Sequence, residues 1–304
     1  MKKIDRITSF FPFVPLPTTI LGTYTMIYFD VPISIWSLNL SIVCVGVFIA
    51  LFFLKKPVPL KDINPIIVLA TSMILLLGTF YDEGIMNVHR WINIKSLQIN
   101  IGLIASPLLL IQISRVTSHT FAIVSSVIVI IIFSLQPDSS LVSAFSISVC
   151  IILFRNHKSK LVNISFFLFA LISIGYSWYH LDNLEPVSHV EEIVDLTKRI
   201  SKTLFFVSVI SLLLLVIPFV YDYPKKDDMS VSLGIYYLII LLATFLGHFP
   251  VMLMGYGISP IIGYFIGLIW KINTNTKTEG TTKEDMVNNN TSQNRVDSSN
   301  GSVL

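Results

Sequence analysis

Charge is what this sequence has least of. Only 13% of its 304 residues are Asp, Glu, Lys or Arg, about half the ~25% usual in a soluble domain. With 53% hydrophobic residues and a mean hydropathy of +0.75, that scarcity excludes an ordinary water-soluble enzyme. Cysteine is nearly absent too. Cys44 and Cys150 each sit in an apolar run with no Cys or His at ligand spacing. They therefore read as buried structural thiols, not as a disulfide or a metal site. No internal repeat, no glycine loop that could cradle phosphate and no basic patch suited to nucleic acid is present. The net charge of +3 says little about partners, because in so apolar a chain the placement of charge matters more than its sum.

What the chain does contain is a succession of long apolar runs, from near the N-terminus to Trp270. The expected fold class is an all-α polytopic membrane protein of about ten spans, each near the ~20 residues a bilayer requires. The spans are placed at 8–28, 33–54, 64–80, 97–114, 119–135, 140–154, 162–180, 202–221, 231–248 and 255–271. The turn at 136–139 is short enough for a re-entrant pair as the alternative. The start, Met1-Lys2-Lys3, resembles a signal peptide, but Pro12, Pro15 and Pro17 interrupt the run and no small-residue cleavage site follows. A retained first span is expected. With the N-terminus in the cytoplasm, twelve Lys and Arg residues fall on the inner side. Only Arg90, Lys95, Lys198, Arg199 and Lys202 fall on the outer side, a positive-inside bias. Residues 1–271 form the expected transmembrane domain. Residues 272–304, rich in Asn, Thr, Ser and Lys, form an expected disordered polar tail in the cytoplasm.

Four outer features carry polar chemistry, and each has a structural alternative. Arg90 beside Trp91 could grip a phosphate bidentately or anchor a helix at the interface. Gln136-Pro137-Asp138 is a turn in which Asp138 caps the next helix, or holds a partner, since a carboxylate at that depth is costly. The loop from Leu184 to Lys202 carries Glu191, Glu192, Asp195, Lys198 and Arg199. Its Val190, Ile193, Val194, Thr197, Ile200 and Leu204 fall at helical spacing, so a surface helix is expected to run along the membrane before entering it. Ser188 and Glu191 make a capping-box pattern. Glu191 is thus either folded back on an amide or free as a general base. Last, Gly255-Tyr256-Gly257-Ile258-Ser259 suits close backbone approach or helix packing.

In their order and spacing these islands resemble the SEDS family of shape, elongation, division and sporulation proteins, which includes FtsW, RodA and SpoVE. The family line Arg-Arg-Trp-Ile-x-Leu-Gly-Pro-Leu is similar to His89-Arg90-Trp91-Ile92-Asn93-Ile94-Lys95-Ser96-Leu97. Gln-Pro-Asp recurs at Gln136-Pro137-Asp138. Pro-Glu-x-His-Thr-Asp-Phe-Ile-Phe resembles 186–194, with His189 and Glu191 in register, and Ser-Tyr-Gly-Gly-Ser resembles 255–259.

The resemblance implies a ten-span protein of the bacterial plasma membrane with both termini cytoplasmic. It implies polymerisation of lipid II, or another undecaprenyl-linked sugar, on the outer face together with a class B penicillin-binding protein. Glu191 would stand for the family's catalytic aspartate. Arg90, Trp91, Gln136, Asp138, His189, Tyr256 and Ser259 would bind substrate. Charge developing on the leaving diphosphate calls for cationic or metal stabilisation. A divalent cation fits that role, although no outer cluster has dedicated ligand spacing.

The sequence also departs from the family. Glu191 is a methylene longer than Asp. The family's Gln-Pro-Ser-Glu reads Asn100-Ile101-Gly102-Leu103, its following lysine reads Ser106, and a later Glu-Glu pair reads Arg199-Ile200. These losses leave a second functional class open, a catalytically silent SEDS-like protein that binds a lipid-linked precursor or a synthase and regulates it. A lipid flippase would need charged groups along an internal path, and the spans carry almost none.

Overall fold

The computed structural model describes residues 6–57, 63–81, 84–86, 88–95, 97–155, 159–182, 184–221, 227–246 and 249–275. The chain is a polytopic helical membrane protein. Its helices are α1 (Pro15–Tyr28), α2 (Ile33–Lys55), α3 (Pro65–Gly78), α4 (Ile101–Arg115), α5 (His119–Leu135), α6 (Ser139–Arg155) and α7 (Lys160–Tyr179). There follow α8 (Ile193–Ile200), α9 (Lys202–Leu214), α10 (Ile217–Val220), α11 (Asp228–Ala243) and α12 (258–275). A two-stranded hairpin, β1 (Trp91–Ile94) and β2 (Leu97–Asn100), precedes α4. Among the described residues four helical stretches, Thr8–Tyr28, Ile33–Lys55, Lys160–Tyr179 and Lys202–Val220, are long and apolar enough to cross a membrane. Five shorter apolar helices accompany them, among them α4 and α11.

Short polar residues start the helices, because the first N–H groups have no partner inside the helix. The Asn64 side chain accepts from Ile66 N at 2.9 Å, and Asn100 Oδ1 from Leu103 N at 3.1 Å. Asp138 Oδ1 accepts from Leu141 N at 3.1 Å, and Ser201 Oγ from Leu204 N at 3.0 Å. Proline stands at the first position of α1 and α3, where its missing N–H costs nothing.

Helices α4, α6 and α11 pack on one another at the centre, and α6 is buried along nearly its whole length. The outer helices turn apolar side chains outward. Phe48 is 74% exposed and Leu161 75%, an arrangement that lipid satisfies and water would not. Serines knit the interior by interhelical bonds. Ser139 Oγ donates to Ser177 O at 2.6 Å, Ser232 Oγ to Ser148 O at 2.8 Å, and Trp178 Nε1 to Ser143 Oγ at 2.9 Å.

Several boundaries differ from the sequence expectation. Residues 97–100 begin no span; they pair with 91–94 as β2, and the Asn100 cap delays α4 to Ile101. The surface helix is broken at Ser201, whose backbone is extended (φ −162°, ψ 152°). Leu204 therefore belongs to α9, while Ile193, Val194, Leu196 and Thr197 form the buried face of α8. The turn after α5 leads directly into α6, which begins at Ser139. Cys150 is buried, but Cys44 is exposed on the lipid-facing side of α2. Helix α12 runs to 275, past the expected end at Lys271, and the rest of the tail lies outside the described residues.

Close backbone approach fixes how α12 meets α4. A Cβ built on Gly263 would fall inside contact distance of the Leu103 carbonyl oxygen, a backbone atom that cannot swing away. Gly263→Ala is expected to cost about 1–3 kcal/mol by overpacking. Gly175→Ala in α7, where a Cβ meets open space, should not destabilise. Thermal unfolding of both variants in detergent checks the pair.

Candidate functional site

Four loops meet at one end of the bundle: the hairpin, the α5–α6 turn, the segment from α7 to α8, and the segment before α12. Between them lies a cavity of about 570 Å³. Strand alternation decides what the hairpin contributes. Trp91 pairs with Asn100 and Asn93 with Gln98, so these four share one face, and all four line the cavity. Lys95, at the hairpin turn, extends that face.

Beneath this face lies Arg90, 5% exposed. Its Nη2 donates to Asp182 Oδ2 and to the Pro137 carbonyl, and its Nε to the Gln136 carbonyl at 3.2 Å. Asp138 Oδ2 stands 3.6 Å from the same Nε, and the Trp91 ring centroid is 6.0 Å from the guanidinium carbon. The Arg90 charge is thus balanced by two carboxylates. Asp138 combines both sequence readings, since it caps α6 and also partners Arg90.

The loop after α7 makes a single turn, with Glu191 N donating to Val187 O at 2.9 Å. The Glu191 carboxylate folds back over that turn, and its Oε2 accepts from Val187 N at 2.8 Å. The capping pattern is therefore present but displaced by one residue. Ser188 instead donates to Glu192 Oε2 at 3.2 Å. Burial pushes the Glu191 carboxyl up to about 7. Hydrogen bonds from the Val187 and Glu191 amides and the Arg90 charge oppose the rise, and the Asp182 charge adds to it. Burial likewise lowers the His189 imidazole below its ordinary value.

The loop before α12 is clamped from two sides. Tyr256 N donates to His189 O at 2.9 Å and Val251 N to Val190 O at 3.1 Å. Asn39, 2% exposed in the second turn of α2, donates to Gly255 O at 2.8 Å and accepts from Gly257 N at 3.1 Å. At Gly255 a Cβ would collide with the Val190 carbonyl. Ser259 Oγ accepts from Asn100 N at 2.8 Å, joining α12 to the hairpin.

Of the residues picked out by sequence, Arg90, Trp91, Asp138, Glu191, Tyr256 and Ser259 line the cavity. Gln136 and His189 do not. The Gln136 side chain turns into the bundle and donates to Thr79 Oγ1 at 2.7 Å, while the His189 ring lies 6.3 Å from that of Tyr256. Asp182 and Asn39 escaped the sequence reading. Each is a polar residue in or just past an apolar run, which was the available signal. Among the described residues no three His, Cys, Asp or Glu side chains come together to hold a metal. Asp138 and Asp182 are engaged by Arg90, and Glu185 and Glu191 are the other carboxylates on the cavity wall.

The Arg90 cluster is the site's structural keystone. Arg90→Gln leaves two carboxylates without their cation and is expected to cost about 3–5 kcal/mol. Thermal unfolding in detergent checks this, with exposed Arg199, replaced by Gln, as the neutral control.

No protein-family model and no curated protein matches the sequence. Solved structures do match. The rod shape determining protein RodA of Thermus thermophilus is similar with a TM-score of 0.63 at 14% identity, over 90% of this chain and 97% of RodA. A mutant of the same RodA is similar at TM-score 0.62 and 15% identity, over 90% and 98% of the two chains. A chain from a peptidoglycan synthase complex, described for its structural coordination of polymerization and crosslinking, reaches TM-score 0.62 and 16% identity over 91% and 99%. At these identities the likeness establishes the fold, which is SEDS-like.

Proposed function

We propose that this chain is a SEDS-like cell-wall protein that polymerises lipid II on the outer face of a bacterial plasma membrane, with Glu191 as its general base. The observation that carries the reading is the position of Glu191. It is a half-buried carboxylate on the cavity wall, raised to about 7, in a fold shared with RodA. A base serves best when its pKa lies near the working pH. In the reaction the Glu191 carboxylate takes the proton of the acceptor sugar's hydroxyl. The oxygen then bonds to the anomeric carbon of the donor. The bond from that carbon to the diphosphate breaks, and undecaprenyl diphosphate leaves with the electron pair. Trp91, Tyr256 and Asn100 shape the wall against which the sugars lie. Arg90 and Asp138 hold the hairpin and the α5–α6 turn in place. The cavity faces the extracytoplasmic side, both termini are cytoplasmic, the polar residues after α12 form a cytoplasmic tail, and the partner is a class B penicillin-binding protein.

A second reading, a silent protein that binds lipid II or a synthase and regulates it, draws on two observations. Arg90 Nε and Nη2 are engaged by protein groups, and the Glu191 carboxylate rests on the Val187 amide.

Polymerisation of labelled lipid II, by the protein alone and with class B synthases, separates the two. Wild type should make glycan strands, and Glu191→Gln should lower the rate about 100- to 10,000-fold. Equal product from the variant would remove Glu191 as the base. Lipid II binding without product in any pairing would establish the silent reading. The base is usable only when unprotonated. With its carboxyl at about 7, the rate should climb as pH rises through about 7 and fall about tenfold per unit below it. A profile flat between pH 5 and 8 would contradict the assignment.

A further inference from the structure

Two cationic side chains line the cavity among the described residues, Arg90 and Lys95. They differ in what they have left to offer. Arg90 is buried, and its charge is matched by Asp138 and Asp182. Binding a ligand anion there would mean displacing a carboxylate or placing a third negative group against it. Lys95 is exposed at the hairpin turn, and no carboxylate among the described residues pairs with it. Its backbone is left-handed, φ 57°, a conformation that glycine adopts without strain and a lysine does not. This turn aims a long cationic chain along the face that already presents Asn93 and Gln98 to the cavity.

We propose that Lys95 is the anion-reading residue of this cavity and binds the diphosphate of a lipid-linked sugar. The proposal rests on the function given above and names the group that meets the leaving diphosphate. Three flexible donors on a lysine suit phosphate oxygens as a point charge. Its exposure lets the site load and release a substrate that arrives from the membrane. Lys95 and Glu191 line the same cavity from different loops, so the negative leaving group and the base are held by separate parts of the chain.

The test is equilibrium binding to the full-length protein in nanodiscs, with undecaprenyl diphosphate, undecaprenol and inorganic diphosphate as probes. Wild type should bind undecaprenyl diphosphate more tightly than either of the others. Lys95→Gln should weaken binding of undecaprenyl diphosphate roughly tenfold, the scale of one charged hydrogen bond. It should leave undecaprenol binding unchanged, and Lys95→Arg should restore most of the loss. Raising salt should weaken the wild-type preference, since the lysine is exposed. If Lys95→Gln binds the diphosphate as tightly as wild type, Lys95 is not the anion reader, while the proposed function stands. Inorganic diphosphate binding as tightly as the lipid form would overturn the lipid-linked assignment. If wild type does not distinguish diphosphate from undecaprenol, the proposal and the function above it both fall.

Discussion

A guanidinium removed from water stays charged only where the protein replaces its hydration, and three separate chain segments meet at Arg90 to do so. The hairpin carries the arginine itself. The α5–α6 turn supplies Asp138 and the carbonyls of Gln136 and Pro137, and the segment after α7 supplies Asp182. Each segment is costly to bury alone and acceptable only together. The cluster therefore decides how three loops from distant parts of the sequence converge, and the cavity is the space they leave. A charge network of this kind favours one arrangement of the loops over many near-equivalent ones.

The fourth wall is fixed by neutral groups. The loop before α12 carries no charge, and its backbone is held by the Asn39 amide on one side and by the turn containing His189 and Val190 on the other. That same turn positions Glu191. Lodging the carboxylate against the Val187 amide costs it freedom but sets its direction, and partial burial brings its proton affinity into the neutral range. Structural and chemical roles are not alternatives at this residue. A carboxylate that caps a turn while lining a cavity can do both, provided the turn is on the wall.

Much of the fold was legible in the sequence because a bilayer allows so few solutions. Apolar runs near the length of a span must be helices, since only helices satisfy their own backbone in lipid. Where the expectation failed, local polar chemistry had overruled hydropathy. Residues 97–100 are apolar enough to begin a span, yet they pair with 91–94 because the Asn100 side chain caps the helix four residues later. Ser201 broke an amphipathic helix for the same reason.

The residue types of the site could be read in advance, but their partners could not. The sequence by itself determined the helical membrane architecture, the polar islands at its loops, and a carboxylate able to serve as cap or base. Hydropathy, cap chemistry and spacing are local properties, and each of these follows from residues a few positions apart. Only the tertiary structure decided that Arg90 is engaged by Asp138 and Asp182, while Lys95 lines the cavity with no carboxylate partner among the described residues. It also decided that Gln136 turns inward and that Asn39 reaches across from α2 to hold Gly255 and Gly257. Those outcomes depend on contacts across 48 to 218 positions, whose energies exist only once the helices have packed.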